Sequence, residues 1–572
     1  MTQPVGAFAF VLHSHLPYAR QAGMWPHGEE WVHEAIAETY VPLLNSLYDL
    51  RDEGVDFRLT ISVTPILAEQ LADPLIIEHF LTYAEERSAW AAADISRFDE
   101  AREPEMKNLA IHYHHWYSRV LTTFRDRFKG DLIGALRTLQ DSGSIEVSTS
   151  AATHGYLPLL SRDSSIFGQI QTGVSSYERH FGRRPKAIWL PECAYRPAYF
   201  DHTDGVNVRR PGIESFLEAE NLKVFFTETH TVEGGQPVGK AAGEAMGMYG
   251  MVSRRYAIEP LPTSAEQMEP GTTYKTYWVG DAPGTVAVLG RNNRTGQQVW
   301  SGSFGYPGDS WYREFHRKDG VSGMQYWSVG GAGVDLGSKP PYDPARAQQR
   351  VKDHARHFAA LVEELLVAHH AASGTYGVIA SNYDTELFGH WWFEGVDWLR
   401  DVLRLLAGSD QVALSTASGF VKEHPPETVI ALPESSWGSG GNHFTWLNVD
   451  TDWMWPSIHA SERRMEGLVE RFPDASGERK ALLSQAAREL LLLQSSDWPF
   501  LVTTGQAKEY ASQRFSDHVD RFNALASIAE RDDGLTLQES DMLDALAERD
   551  NPFSDIDYRV FAERQGSAAL AG

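Results

Sequence analysis

Residues 186–192, KAIWLPE, and residues 376–386, YGVIASNYDTE, decide how the whole chain reads. Each is a continuous apolar run that ends in polar residues, with Glu192 just past the first run and Asp384 just past the second. A strand buried on both faces reads this way, whereas a strand with one wet face alternates apolar and polar residues. Five further runs share the pattern: AFAFVL at 7–12 before HSH, FRLTISV at 57–63 before TP, IEVSTS at 145–150 before AATH, LKVFF at 222–226 before TETH, and TVAVLG at 285–290 before RNNR. Helical patterns separate them. Seven parallel strands that each deliver polar residues beyond the carboxyl end predict a (β/α) barrel of seven or eight strands, in which those ends share one mouth.

Two stretches interrupt the alternation. Residues 71–139 are mostly helical in character, with charged faces such as AEERSAW, and predict a small helical subdomain beside the barrel. Residues 231–253, rich in Gly and Ala around MGMYGM, predict a mobile lid loop whose one aromatic is Tyr249. Beyond about residue 404 long amphipathic patterns take over, at about 456–471, 479–494 and 505–531. The expected organisation is thus a catalytic barrel over 1–404 and a helical carboxyl-terminal domain over 405–572, which contributes to the binding groove.

Composition narrows the function classes. With 77 acidic and 51 basic residues among 572, the net charge of −26 repels phosphate backbones and anionic lipid, so neither nucleic acid nor membrane is an expected partner. The lone Cys193 excludes an intrachain disulfide framework and reads as a small buried packing residue. The first apolar run has neither the basic segment nor the cleavage pattern of a signal peptide, and no run reaches the roughly 18 residues of a membrane span. A cytoplasmic protein, monomeric or a small homo-oligomer, is expected. The 17 Trp, 22 Tyr and 26 Phe are many, and numerous Trp lie beside Gly, Pro and Asp, where rings can stack on the C–H faces of sugars.

Glu192 and Asp384 would project into one mouth. Glycosidic bond cleavage needs one carboxylic acid to protonate the leaving oxygen and a second carboxylate across the sugar ring, about 5 to 5.5 Å away in retaining enzymes. Asp201 and Glu386 are alternatives for the pair. His13 and His15 leave the first strand and His154 the third, placed to hydrogen-bond hydroxyls and the nucleophile. The same His-x-His, with Glu192, His230 and Asp384, also imitates the metal cage of barrel amidohydrolases, although the sixth strand supplies no imidazole. Structural histidines that cap strand ends are a third reading. Trp31, Trp300, Trp437 and Trp446 lie near loops or motif ends and suit stacking platforms.

HSHLPY, IEVSTSAATHGYLP, WLPECAY, YDTELFGHWWFEG and QSSDWPF, in this order and spacing, resemble the motif series of glycoside hydrolase family 57 in its 1,4-α-glucan branching branch. The similarity runs from the first strand to beyond residue 550. It implies a (β/α)7-type barrel with an inserted small helical subdomain and a C-terminal α-helical domain. It further implies retaining catalysis without metal or cofactor, an α-1,4-glucan substrate, Glu192 as nucleophile and Asp384 as general acid/base. Arg291, Gly308, Trp437 and Asp497 match the family's glucan-binding positions. Relatives that hydrolyse or disproportionate α-glucans share the catalytic motifs, so an α-glucan hydrolase or 4-α-glucanotransferase is the alternative, with a non-catalytic glucan-binding protein further off.

Overall fold

The computed structural model describes residues 3–201, 208–234, 246–247, 250–251, 271–280, 283–301, 305–331 and 333–563. All seven expected runs form strands: β1 (Gly6–Ser14), β2 (Leu59–Val63), β3 (Ile145–Ser150), β4 (Ala187–Trp189), β5 (Val224–Thr227), β6 (Val286–Gly290) and β7 (Gly377–Asp384). They pair in parallel in the order β7-β1-β2-β3-β4-β5-β6. The curled sheet meets itself through one bridge, Arg291 to Ala380, where the Asn292 N–H donates to the Ala380 carbonyl at 2.8 Å. Closure is confined to that point because an antiparallel strand, Thr276–Val279, occupies the edge of β6 as far as Leu289. The fold is a (β/α)7-type barrel.

The alternation along β1 shows how the layers form. Phe8 and Phe10 face outward and meet Phe358 of the covering helix Pro344–Ser373, at 5.9 and 6.2 Å between ring centres. Ala7 and Ala9, on the opposite face, pack with Val378 and Phe420, and the same face ends in His13 at the mouth. The period of two along a strand puts large rings under the helices and small residues where the sheet curls most tightly.

Residues 71–139 carry the helices Pro74–Glu100, Pro104–Thr122 and Leu132–Asp141, the first capped by Asp73, whose Oδ1 accepts from the Leu75 and Ile76 N–H groups. The pair is fastened to a later segment by the Tyr113 hydroxyl on the Gln325 carbonyl and by Tyr326 on Asp94 at 2.7 Å. Residue 404 falls inside helix Gly395–Ala407, whose Trp398 is fully buried against Phe358. Beyond that helix the chain returns to the sheet, with Val412–Leu414 on β1 and Val429–Ile430 on Thr276–Val279. These strands are too short to carry a readable period. The continuous helical part starts later, with Met454–Arg471, Gly477–Leu493, Asp497–Thr504, Lys508–Ala529 and Leu537–Arg549. Of residues 231–253, the first three belong to helix Thr229–Glu233, and Met246–Gly247 pairs antiparallel with Gly250–Met251; the rest, Tyr249 included, lies outside the described residues.

Gly389 tests the turn that follows β7. Its φ is +103°, and a Cβ there would lie 1.9 Å from the Glu38 carbonyl oxygen, on a segment that Arg313 holds through two 3.1 Å contacts with the Glu38 carboxylate. Backbone meets backbone, so nothing can give. Gly389→Ala is expected to lower stability by roughly 3 kcal/mol or more, read from urea unfolding, and a loss under about 1 kcal/mol would show that the turn is not held as described.

Candidate active site

Glu192 sits on a backbone that L-residues avoid. It follows β4 in the tight turn Pro191–Cys193 with φ 60° and ψ 24°, and Cys193 beside it has φ 49°. Left-handed geometry at a residue with a side chain costs on the order of 1–3 kcal/mol and persists where surroundings over-determine it. Here they do. The Trp437 N–H donates to the Glu192 carbonyl at 3.0 Å, and Tyr195 and Ser435 exchange backbone bonds at 2.9 and 3.0 Å. The side chain is held as firmly, by the Trp437 indole N–H on Oε2 at 2.6 Å and the Ser496 hydroxyl on Oε1 at 3.1 Å.

The three histidines converge behind this carboxylate. His13 stacks flat on Trp189, 4.5 Å between ring centres, and its Nε2 lies 3.1 Å from Nε2 of His154. His154, another residue of positive φ, places Nδ1 2.9 Å from the Ser496 oxygen and 3.9 Å from Glu192. If the Ser496 hydroxyl donates to Glu192, then His154 Nδ1 carries the proton that Ser496 accepts, and His13 Nε2 must donate to His154 Nε2. Burial, followed by its neighbours His15 and His13, holds His154 well below the ordinary imidazole pKa, so it is neutral. His15 behaves oppositely: burial opposes its charge, but the Asp497 carboxylate at 3.0 Å outweighs burial, with Glu192 and Glu386 adding to it, and its pKa is raised.

Asp384 ends β7 in register with His13 on β1. Its charge and that of Glu192 both reach the buried Cys193 thiol, whose pKa is raised first by burial, then by Glu228, with those two carboxylates adding and Arg291 opposing; the sulfur is a packing thiol and not a nucleophile. Glu386, one of the alternatives, lies two residues from Asp384 in a different state. Buried at 3% exposure, it accepts from the Tyr40 hydroxyl and from the His15 backbone N–H at 3.2 Å. Burial first, then the Asp384 charge, overcomes these bonds and pushes Glu386 up to about 8, so it carries a proton at neutral pH. Asp201, the other alternative, is in the outer hairpin Tyr199–Asp201/Val208–Arg210, paired with Arg210 at 3.3 Å. Two carboxylates, one strained and doubly held and one at the barrel mouth, with the neutral His154 behind them, suit proton transfer and nucleophilic attack at a sugar carbon.

Residues 9–433 match the family model described as "Glycosyl hydrolase family 57". The chain belongs to that family. Residues 457–561 match a second model, "1,4-alpha-glucan branching enzyme, C-terminal". A 1,4-alpha-glucan branching enzyme of Thermococcus kodakarensis is 47% identical over 555 residues, 96% of this chain and 78% of that protein. Its crystal structure, in complex with glucose and additives, superposes with a TM-score of 0.87 at 44% identity, covering 98% and 97% of the two chains. The branching enzyme of Pyrococcus horikoshii gives 0.86 at 40% identity over 98% and 97%. The α-amylase AmyC of Thermotoga maritima gives 0.79 at 29% over 99% and 100%.

Within this family-57 chain the expected binding residues divide. Asp497 and the histidines are joined to Glu192 as described. Trp437 is 5% exposed and spends its indole N–H on the carboxylate, which makes it a support of Glu192 and not an open platform. Trp446, 1% exposed, stacks on Tyr156 at 4.3 Å and presents no free face; Trp31, 6% exposed, packs edge-on against Tyr510. Later helices and loops bury both. Trp300 is half-buried at the end of helix Asn293–Trp300. Gly308 is exposed in the turn Tyr306–Gly308, whose Tyr306 stacks on His354 of the outer helix. Arg291 Nε lies 2.9 Å from Glu228, both 2% exposed, in a buried ion pair. Among the described residues the groups with ligand spacing are Glu29–His33–His79 and Glu489–His518–Asp550. Ser496, Tyr40 and Glu228 were missed because a hydroxyl or a single acid beyond a strand has no pattern of its own.

Glu386 gives a pH test. Below its ordinary value of 4.5 the carboxyl is protonated folded or unfolded; between there and about 8 only the folded chain keeps the proton, so this residue lowers stability progressively as pH rises across that window. Glu386→Gln is therefore expected to gain stability over the native chain from pH 5 to pH 9 in urea unfolding. A difference that is flat with pH would mean that Glu386 is ionised in the folded protein.

Proposed function

We propose that Glu192 attacks the anomeric carbon of an α-1,4-linked glucan while Asp384 protonates the departing 4-oxygen, leaving a glycosyl ester on Glu192. In the second half-reaction Asp384 takes the proton of an acceptor 6-hydroxyl, the new C1–O6 bond forms, and Glu192 departs as carboxylate. The observation that carries this assignment is the grip on Glu192: Oε2 accepts from the Trp437 indole N–H and Oε1 from the Ser496 hydroxyl, two neutral donors that orient the charge. The activity is that of a 1,4-α-glucan branching enzyme, in keeping with glycogen-type glucan synthesis; the carboxyl-terminal match and the branching relatives support it over the hydrolase reading that the amylase likeness keeps open. No helix among the described residues is long and apolar enough to cross a membrane, and cytoplasmic placement is part of the proposal.

Amylose incubated with the protein, then debranched, separates the two activities: branching gives new α-1,6 links with few new reducing ends, and hydrolysis gives the reverse. Glu192→Gln is expected to lose several orders of magnitude in rate while staying folded, and near-normal turnover would remove it as nucleophile. Asp384→Asn should recover in part on aryl glucosides whose leaving group needs no proton; equal loss on both substrates would remove the acid role. Trp437→Phe deletes only the indole donor, worth about 1.5–3 kcal/mol for a bond to a charge, so cleavage should slow roughly ten- to hundredfold with unfolding little changed. An unaltered rate would mean that the Trp437 bond does not orient Glu192.

A further inference from the structure

Away from the barrel mouth, a cavity of about 480 Å3 opens between helix Val41–Asp52, helix Pro104–Thr122 of the insertion and helix Gly395–Ala407. That volume is within the range of small-ligand sites. Its lining combines aromatic surface with buried polar atoms that the protein leaves unsatisfied. The indole of Trp116, half-buried, leans on Phe393 at 4.6 Å, and Arg119 lies over its ring at 5.2 Å. The Trp116 indole N–H and Nε2 of His112, four residues apart on one helix, are both buried with no hydrogen-bond partner. An unmet buried donor or acceptor costs about 1–3 kcal/mol, so two on one wall are disfavoured unless something fills the cavity.

The chemistry of the occupant follows from the charges. Arg400 is bound to Asp397 at 2.9 Å, and Asp49 to Arg127 at 2.6 Å, so these lining charges cancel within the protein. Burial first, then the nearby guanidinium of Arg119, holds His112 at about 4, leaving a neutral imidazole with one donor and one acceptor. Burial likewise pushes the Glu394 carboxyl up to about 7. Arg119 is the lining cation outside these ion pairs, and its guanidinium is engaged by the face of the Trp116 ring, while Asp49 and Asp397 are each already held by an arginine. A neutral polyhydroxylated ring fits: hydroxyls answer the indole N–H and the imidazole, and its C–H face lies on the aromatic rings.

We propose that this cavity is a second carbohydrate site, which holds one or two glucosyl units of an α-1,4-glucan away from Glu192 and Asp384. The proposal rests on the glucan reading of those residues. A polymer anchored at one site presents its other segments to the second at raised effective concentration, so a weak site here would retain long chains near the barrel mouth.

Calorimetric titration with maltoheptaose tests it in the full chain carrying Glu192→Gln, where sugar binds without turnover. Two classes of site are expected. Adding Trp116→Phe, which keeps a ring against Phe393 and removes the N–H, or His112→Leu, should weaken one class about tenfold or abolish it, with thermal unfolding and the other class unchanged. A single class, unaffected by either substitution, would overturn the second site while leaving the barrel assignment standing. Tighter binding of glucose 1-phosphate than of maltoheptaose, sensitive to Trp116→Phe, would overturn the neutral-glucan assignment. Crystals soaked in maltose should show a sugar ring against Trp116, and a cavity that stays empty of sugar at saturating maltose also counts against the proposal.

Discussion

The bond from the Trp437 indole to Glu192 joins two parts of the chain 245 residues apart, and the rest of the site is arranged around it. Glu192 needs such support because its backbone is left-handed. The strain, on the order of 1–3 kcal/mol, is offset by a bond to charge worth about 1.5–3 kcal/mol. Trp437 is in turn fixed from below and behind: it meets Trp189 edge-on at 5.3 Å, and Gly438 allows Trp446 to approach so closely that a Cβ there would lie 2.5 Å from the ring. Trp446 stacks on Tyr156, whose hydroxyl meets His443 at 2.8 Å. The tryptophans expected to bind sugar thus form a brace, and their rigidity is transmitted to a carboxylate.

The helical carboxyl-terminal part completes the site. Ser496 supplies the second hydrogen bond to Glu192, its backbone N–H donates to the His154 carbonyl at 3.1 Å, and Ser495 bridges Gly155. Asp497 holds His15 from the same turn. A barrel alone would leave Glu192 Oε1 without this donor and His15 without its anion, so the start of helix Asp497–Thr504 is as much part of the mouth as the strand ends.

Two carboxyls two residues apart on one chain segment meet different surroundings. Asp384 points from the end of β7 into the mouth, whereas Glu386 is turned back under Tyr40 and the β1 backbone, where burial and its neighbour's charge keep it protonated. That division is set by direction, not by residue type.

The sequence by itself determined the seven strands, since a buried parallel strand must be continuously apolar and its polar residues must collect at the carboxyl end. It also set Glu192 and Asp384 just past two of those apolar runs, and its ordered motifs determined the family. Only tertiary structure decided which groups hold them. Trp437 and Trp446 both lie near loops or motif ends in the sequence, yet one bonds to Glu192 and the other is sealed behind it, and Arg291 is paired with Glu228 from beyond the neighbouring strand. The strands Val412–Leu414 and Val429–Ile430, which return to the sheet, are too short to carry a period of their own. Periodicity records whether a residue faces apolar or polar surroundings, a one-dimensional property of neighbours along the chain. Hydrogen-bond pairing and ionisation depend on which atoms arrive from hundreds of residues away, and no local pattern encodes that.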